Sequence, residues 1–152
     1  MLDTLIECVK IIFVHPHTNK NIRILDFLIT LTHVTYINYT SNKNLSLVFD
    51  ALIDIFSQTM IAIDSQIRYT TFRILNKVQS FIDLSRLPYL PDQFEQYLLE
   101  LLNNETTLLV LDEIIPLAAK FQNKNPQFID GLIRKANFLL KSLSFSRFSQ
   151  SN

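Results

Sequence analysis

The first 33 residues contain four cysteine and histidine side chains, which can bind a metal or act in nucleophilic catalysis. They are Cys8, His15, His17 and His33. A zinc site needs three or four such side chains to converge, and Cys8 is the only thiol in the chain. The same residues could form a Cys/His catalytic pair, but no third group that would orient the histidine is identifiable. We therefore interpret them as two loop histidines, a helical histidine and a buried helical cysteine, and we expect no metal and no cofactor.

Two pairs of carboxylates are candidates for acid/base chemistry. Asp112 and Glu113 are adjacent, and adjacent side chains on a helix point about 100° apart, so this pair does not converge. Asp50 and Asp54 share one helical face, opposite the apolar stripe, where exposure to solvent explains them. Neither pair predicts a catalytic centre. We expect no catalytic residues and no small-molecule substrate.

The chain contains a single glycine, Gly131. Phosphate-binding loops, dinucleotide fingerprints and nucleophile elbows use glycines to bring the backbone close to a ligand or into strained dihedral angles. The shortage of glycine argues against those enzyme classes, and the sequence predicts a protein that is not an enzyme.

Basic side chains give a candidate nucleic-acid contact. Arg68, Arg73 and Lys77 follow one another along one predicted helix, although their spacing does not place them on one narrow stripe. Lysine and arginine neutralise DNA phosphates largely independently of base sequence, so these three residues are candidates for binding the DNA backbone. The formal net charge of zero gives no further indication of a polyanionic partner.

Charge is unevenly distributed along the second half of the chain. Residues 87–119 carry six acidic and no basic side chains, whereas residues 120–152 carry six basic and one acidic. The basic last helix could dock a partner or a polyanion, or it could complement the preceding acidic helices within the fold. We favour the second interpretation.

Turn and cap residues divide the chain into seven segments of helical length, each with apolar residues at i, i+3 and i+4. Asp92 and Asn125 are predicted N-caps, and Pro116 is expected to kink the sixth helix. We expect one α-helical domain over residues 1–143 and a Ser-rich tail over residues 144–152. The predicted helices are 2–13, 21–36, 45–62, 66–82, 93–102, 107–121 and 127–143.

The first six helices pair into three hairpins. Their second members begin near residues 21, 66 and 107, at intervals of 45 and 41 residues. Armadillo and HEAT repeats have units of about 40–47 residues. The interval therefore predicts an all-α, right-handed HEAT/armadillo-like solenoid of three hairpins and a final helix.

The turn of the second hairpin resembles a HEAT repeat, in which an acidic residue at the turn precedes a branched apolar residue and an arginine. Asp64, Ile67 and Arg68 follow this pattern, and we expect an i, i+4 contact between Asp64 and Arg68. The segment "NIRILDFLITL" repeats it one unit earlier, whereas "ETTLLVLDEII" in the third hairpin lacks the arginine. The structural repeat positions are Ile22, Arg23, Asp64, Ile67 and Arg68.

Residues 47–81, "LVFDALIDIFSQTMIAIDSQIRYTTFRILNKVQSF", are similar to the N-terminal region of the G-type HEAT subunit of condensin, and the resemblance extends over about residues 20–103. It implies a non-catalytic curved scaffold that takes part in mitotic chromosome condensation. Such a scaffold grips a kleisin segment beside SMC proteins and, with the kleisin, the DNA backbone. In that case the protein is nuclear.

A peptide-binding armadillo or HEAT adaptor in transport or signalling is the alternative. We expect no membrane association, because polar residues such as Asp50 and Asp54 interrupt the apolar stretch at residues 45–63. The N-terminus lacks the basic residue of a secretory signal, and a single cysteine suits a reducing compartment. These features predict an intracellular protein, in the nucleus or the cytoplasm.

Overall fold

A computed structural model describes residues 2–14, 22–87 and 90–150 of the chain, with side chains described over 3–11, 23–87 and 90–143. All regular secondary structure in these ranges is helical, as the sequence predicted. A short 3-10 turn at Leu84–Arg86 was not predicted. The helices are α1 (Leu2–Val14), α2 (Ile22–Ile37), α3 (Lys43–Thr59), α4 (Ser65–Gln79), α5 (Asp92–Asn104), α6 (Leu108–Phe121) and α7 (Gln127–Gln150).

Side-chain caps explain where several helices begin. Asn42 accepts hydrogen bonds from the backbone N–H groups of Asn44 and Leu45 at the start of α3. Asn125 accepts one from Gln127, at 3.0 Å, which confirms its predicted role before α7. The predicted capping role of Asp92 is wrong, because Asp92 is the first residue of α5 and Pro91 occupies the cap position without a side-chain bond.

The helices pack in two adjacent rows. One row contains α1, α3, α5 and α7, and the other contains α2, α4 and α6. Consecutive helices of each row touch, and the contact between α4 and α6 is the most extensive. Contacts of α2 with α3, α3 with α4, α5 with α6 and α6 with α7 join the two rows.

Large apolar side chains fill the space between the rows. Phe94, Phe121 and Phe128 are fully buried, and their ring centroids follow one another at 6.0 and 5.8 Å, which joins α5, α6 and α7. Burying each such ring contributes about 1.5–3 kcal/mol relative to its exposure. The aromatic chain therefore fixes α7 against the third hairpin.

Gly131 allows a close approach of α7 to α5. A Cβ atom at this position would lie 2.8 Å from Leu102 Cδ2 and 3.2 Å from Asn103 Oδ1, closer than carbon atoms normally pack. Its backbone does not have a positive φ angle. The single glycine of the chain is therefore used for helix contact, not for a turn.

The last helix is longer than expected. Its apolar periodicity predicted an end at Leu143, but the backbone stays helical to Gln150. Phe145 and Phe148, which the sequence leaves without a predicted partner, lie outside the part of the chain whose side chains the structure describes. The described helices include none that is long and apolar enough to cross a membrane.

Candidate interaction site

Arg68 lies at the start of α4 and ties two hairpin turns together. Its Nε and Nη2 atoms donate to the two carboxylate oxygens of Glu105, at 2.8 and 3.0 Å. Its Nη1 atom donates to the carbonyl oxygens of Ala62 and Ile63 in the α3–α4 turn, both at 2.8 Å. A guanidinium fork that engages a carboxylate through two bonds is a strong and geometrically specific contact.

Glu105 occupies the turn between α5 and α6 and is 5% exposed. Burial alone raises the pKa of its carboxyl group, but the bond from Arg68, the bond from the Thr107 N–H and the positive charge of Arg68 outweigh burial. The pKa of Glu105 is therefore held below its ordinary value. The carboxylate remains ionised and paired at neutral pH.

Lys135 brings α7 to the same turn. Its ammonium group donates to the carbonyl oxygen of Glu105 at 2.8 Å and lies 5.0 Å from the ring centroid of Phe138. Lys135 is 6% exposed, and this burial lowers the pKa of its amine, while the Glu105 carboxylate partly opposes the change. We call Arg68, Glu105 and Lys135 the turn junction.

The turn junction corrects one expectation. The predicted i, i+4 contact between Asp64 and Arg68 is made by the backbone, where the Arg68 N–H donates to the Asp64 carbonyl oxygen at 3.2 Å, but the guanidinium pairs with Glu105 and not with the Asp64 carboxylate. Asp64 accepts a hydrogen bond from the Gln66 N–H at 2.8 Å and so caps α4. Sequence reasoning missed Glu105, although it stands 41 residues after Asp64, an interval already present between hairpins. That interval is the signal that could have identified it.

A groove of about 450 Å³ runs across the row of second helices, away from the turn junction. It contains both apolar and charged side chains from three helices. They are Leu25, Asp26 and Ile29 of α2, Arg73, Ile74, Asn76, Lys77 and Ser80 of α4, and Glu113 of α6. We call this the α2–α4–α6 groove.

Two predicted phosphate contacts lie in this groove and the third does not. Arg73 and Lys77 are exposed and one helical turn apart on α4. Arg73 also lies over the ring of Tyr69, with its Cζ atom 5.6 Å from the ring centroid. The guanidinium of Arg68 is held in the turn junction, so Arg73 and Lys77 are the members of the set that are exposed in the groove.

The groove carries charges of both signs. Asp26 is exposed, and Glu113 accepts a hydrogen bond from Asn76 Nδ2 at 2.9 Å, while the same Nδ2 donates to the Glu113 carbonyl oxygen at 2.7 Å. Leu25 and Ile74 are buried beneath these polar groups. This combination of an apolar floor and alternating charges suits a ligand that has apolar and charged groups of its own.

The other repeat positions lie outside the groove. Arg23 is exposed on α2, and the side chain of Ile22, the first residue of that helix, lies outside the described residues. Ile67 is half-buried and packs against the core. Of these positions, Ile67 supports the packing of the helices.

The remaining carboxylates form no paired site. Asp112 is exposed, whereas Glu113 contacts Asn76 in the groove. Asp50 accepts a hydrogen bond from the hydroxyl group of Tyr39 at 3.1 Å, and Asp54 accepts one from Gln58 at 3.0 Å. Asp50, Asp54 and Glu113 thus each accept a hydrogen bond from a neighbouring side chain.

The described cysteine and histidine do not meet. Cys8 is exposed on α1, so its predicted burial is wrong, and His33 packs against Phe81 with ring centroids 4.3 Å apart. His15 and His17 lie outside the described residues. Within the described ranges, no three His, Cys, Asp or Glu side chains lie close enough to hold a metal ion together.

The basic residues near the chain's end face the acidic third hairpin. Lys135 binds the turn at Glu105, Arg134 donates to Asn103 Oδ1 at 3.1 Å, and Lys124 pairs with Glu95 at 3.3 Å. These contacts favour the intramolecular interpretation of the charge asymmetry. Lys141 is exposed.

Comparisons with known proteins identify no family model, no curated protein and no solved structure that matches the chain.

Proposed function

We propose that this chain is a non-catalytic scaffold of the HEAT/armadillo type, which binds a segment of a partner protein in the α2–α4–α6 groove. The observation that carries the proposal is the groove itself, which lies across consecutive second helices and combines an apolar floor with exposed charges. Solenoids bind their partners along such a surface, with the specificity set by the side chains that line it.

The turn junction supports the solenoid part of the proposal. Each hairpin of a solenoid contacts only its neighbours, so stability depends on the interfaces between units. The bond between Arg68 and Glu105 joins the second hairpin to the third, and Lys135 joins the third to α7. A rigid series of units is what a scaffold needs to present a groove of fixed shape.

The charges of the groove favour a peptide over a bare polyanion. Asp26 and Glu113 lie in the same groove as Arg73 and Lys77, and they would repel phosphate groups. A protein segment with both acidic and basic side chains can pair with all four residues while its apolar side chains contact Ile29, which is half-buried at the edge of the groove.

The more specific form of the proposal is a scaffold that resembles a condensin regulatory subunit and acts in the nucleus. The groove would then hold a kleisin segment of an SMC complex. Arg73 and Lys77 are exposed and adjacent on α4, so the DNA backbone is a second candidate ligand beside the kleisin. A peptide-binding adaptor in transport or signalling would use the same groove for a different partner.

Affinity purification from the native source, followed by mass spectrometry, tests the proposal. The wild-type chain is compared with Arg73→Glu/Lys77→Glu and with Lys43→Glu/Lys120→Glu, which changes the net charge equally at exposed positions outside the groove. We expect partners that the first variant loses and the second retains. Kleisin and SMC proteins among them support the chromosomal form, whereas transport or signalling proteins support the adaptor. Partner sets that are identical for all three proteins contradict binding in the groove.

A fluorescence-anisotropy titration with a short DNA duplex at low and moderate salt tests the second ligand. Binding by the chain, alone or with the captured kleisin segment, should weaken steeply with salt and be lost in Arg73→Glu/Lys77→Glu. No binding at low salt under either condition removes DNA from the proposal and leaves the protein-binding groove intact.

A further inference from the structure

Helix α7 carries a second apolar face that the described part of the chain does not cover. Its first face, which includes Phe128 and Lys135, is buried against α5 and α6. The second face lies about 100° around the helix from the first. We call it the α7 stripe, and its residues are Ile129, Ile133, Ala136, Leu140 and Leu143, at spacings of four, three, four and three.

The α7 stripe is a continuous apolar surface. Ile129, Ile133, Leu140 and Leu143 are 44%, 55%, 62% and 63% exposed, and Ala136 between them is also exposed. Isolated apolar residues are common on protein surfaces, but a row of them over four helical turns marks an interaction surface. The spacing is that of a helix that packs along another helix.

The position of α7 leaves this surface accessible. Lys135 contacts the α5–α6 turn, and the helix then continues for 15 more residues to Gln150. That length corresponds to about 22 Å of helix. Leu140 and Leu143 thus lie beyond the residue that contacts the turn, and both side chains are more than half exposed.

We propose that two copies of this chain pair through the α7 stripe, as antiparallel helices that cross at Ala136. The spacing of the stripe residues is nearly symmetric about Ala136. Ile129 and Leu143 each lie seven residues from Ala136, while Ile133 and Leu140 lie three and four residues away. The smallest side chain of the stripe is at the centre, where two crossing helices come closest. An interface that uses the same patch twice is the commonest form of homodimer contact.

Charges beside the stripe favour a second copy in the antiparallel direction. Asp130 lies six residues before Ala136 and Lys141 five residues after it, on the same flank of α7 and both exposed. Neither forms an ion pair within the described part of the chain. Antiparallel pairing places Asp130 beside Lys141 of the second copy, twice in the dimer. In a parallel pair the same flank of the two helices would lie on opposite sides of the interface, so these Asp130–Lys141 contacts would not form.

The oligomeric state of the full chain tests the pairing. Sedimentation equilibrium at increasing concentration should show a monomer–dimer equilibrium, and Ile133→Ser/Leu140→Ser should shift it at least tenfold toward the monomer. Leu108→Ser/Leu109→Ser removes equally exposed leucines of α6 and should leave the equilibrium unchanged. Far-ultraviolet circular dichroism confirms that both variants are folded. A wild-type chain that is monomeric at every soluble concentration overturns the proposal, as does a dimer that the stripe variant retains.

A charge exchange tests the direction. Asp130→Lys and Lys141→Asp should each weaken dimerisation about five- to tenfold, because each creates two like-charge contacts, and the double variant should restore it. Weakening that the double variant does not reverse contradicts the antiparallel arrangement.

Cross-linking distinguishes a second copy from other occupants of the stripe. In a Cys8→Ser background, Ala136→Cys should form a disulfide-linked dimer on oxidation by oxidised glutathione, because the two thiols meet at the crossing point. Arg134→Cys, on another side of α7, should not. If Ile133→Ser/Leu140→Ser reduces assembly but Ala136→Cys forms no disulfide-linked dimer, the stripe packs against a different surface of the next copy or against a different protein. The two-fold pairing is then wrong.

Discussion

The two parts of α4 hold their basic side chains in opposite environments. Arg68, at the start of the helix, is largely buried and bonded to Glu105 and to two backbone carbonyl groups. Arg73 and Lys77, one and two turns further along, are exposed in the α2–α4–α6 groove. Side chains of the same charge on one helix therefore serve the packing of the hairpins at one end and remain available to a ligand at the other.

This difference separates stability from binding within one helix. The turn junction connects residues of two hairpins and α7, so its loss should loosen the whole stack. Arg73 and Lys77 of the groove are exposed, so their loss should change what the surface binds and little else. The free energies of unfolding of variants at the two sites test this division.

The largest effect is expected from Glu105→Ala. The substitution leaves the Arg68 guanidinium and the Thr107 N–H without their carboxylate partner in a buried turn. Breaking such a pair costs about 3 kcal/mol in the free energy of unfolding, measured by urea denaturation. Glu100→Ala, at an exposed acid of the preceding helix α5, should change it by less than about 0.5 kcal/mol. Equal losses in the two variants would show that the turn junction adds no more to the free energy of unfolding than an exposed carboxylate does.

Acidification should weaken the turn junction in a defined direction. The folded-state pKa of Glu105 lies below its unfolded value of about 4.3, so the pairing stabilises the fold fully above that value and is lost as the pH falls through the folded pKa. The free energy of unfolding should therefore decrease below about pH 5, and less so in Glu105→Gln.

The contribution of a second carboxylate, Asp83, to the acid dependence must be distinguished from that of Glu105. Hydrogen bonds from the Ser85 hydroxyl and the Gln79 amide lower the pKa of Asp83, which is exposed. Asp83→Asn should leave most of the acid dependence in place. If Asp83→Asn abolishes it and Glu105→Gln does not, the pH dependence belongs to the α4–α5 connection.

A smaller loss is expected from Gly131→Ala, beside the junction. The added Cβ atom would lie 2.8 Å from Leu102 Cδ2, so the fully buried Leu102 must move or α7 must shift. The crowding should outweigh the higher helix propensity of alanine and cost about 1 kcal/mol net in urea denaturation. Leu102→Ala in the same chain should remove the crowding, so the two substitutions together cost less than the sum of their separate effects.

The smallest effect on stability is expected from Arg73→Ala/Lys77→Ala. Arg73 loses its contact with the Tyr69 ring and Lys77 loses a favourable position near the C-terminus of α4, together less than about 1 kcal/mol. Thermal denaturation should show a transition close to that of the wild type, while partner capture decreases. A cooperative loss of stability comparable to Glu105→Ala would place these residues among the structural contacts and contradict the division.

Local patterns in the sequence predicted the helices well, because a helix depends on apolar residues three and four positions apart. The cap at Asn125 was also predicted, since a cap bonds to a residue only two positions away, whereas Asp64 was expected to contact Arg68 and was not identified as the cap of α4. The end of α7 was not predicted correctly. Its apolar periodicity becomes less regular after Leu143, and the serines that follow predicted a tail although the backbone remains helical.

Contacts between distant residues were not predictable in the same way. The guanidinium of Arg68 pairs with the carboxylate of Glu105, which is 37 residues away, and not with that of Asp64, which is four residues away. The choice depends on how closely two turns approach, and packing between hairpins decides that distance. Glu113 is a similar case, because the rotation of α6 about its axis directs this residue toward Asn76.

Lys135 of α7 binds the main chain of the α5–α6 turn. Arg68 binds the same turn through Glu105 and also binds the α3–α4 turn. We therefore expect insertions into either of these two turns to destabilise the fold. By contrast, the α2–α3 connection exposes Thr40 and Ser41 and is closed mainly by its own local hydrogen bonds. A loop-length change there should be absorbed without cost to the neighbouring helices. Engineers who wish to permute the chain or insert a reporter into it should cut between Thr40 and Ser41.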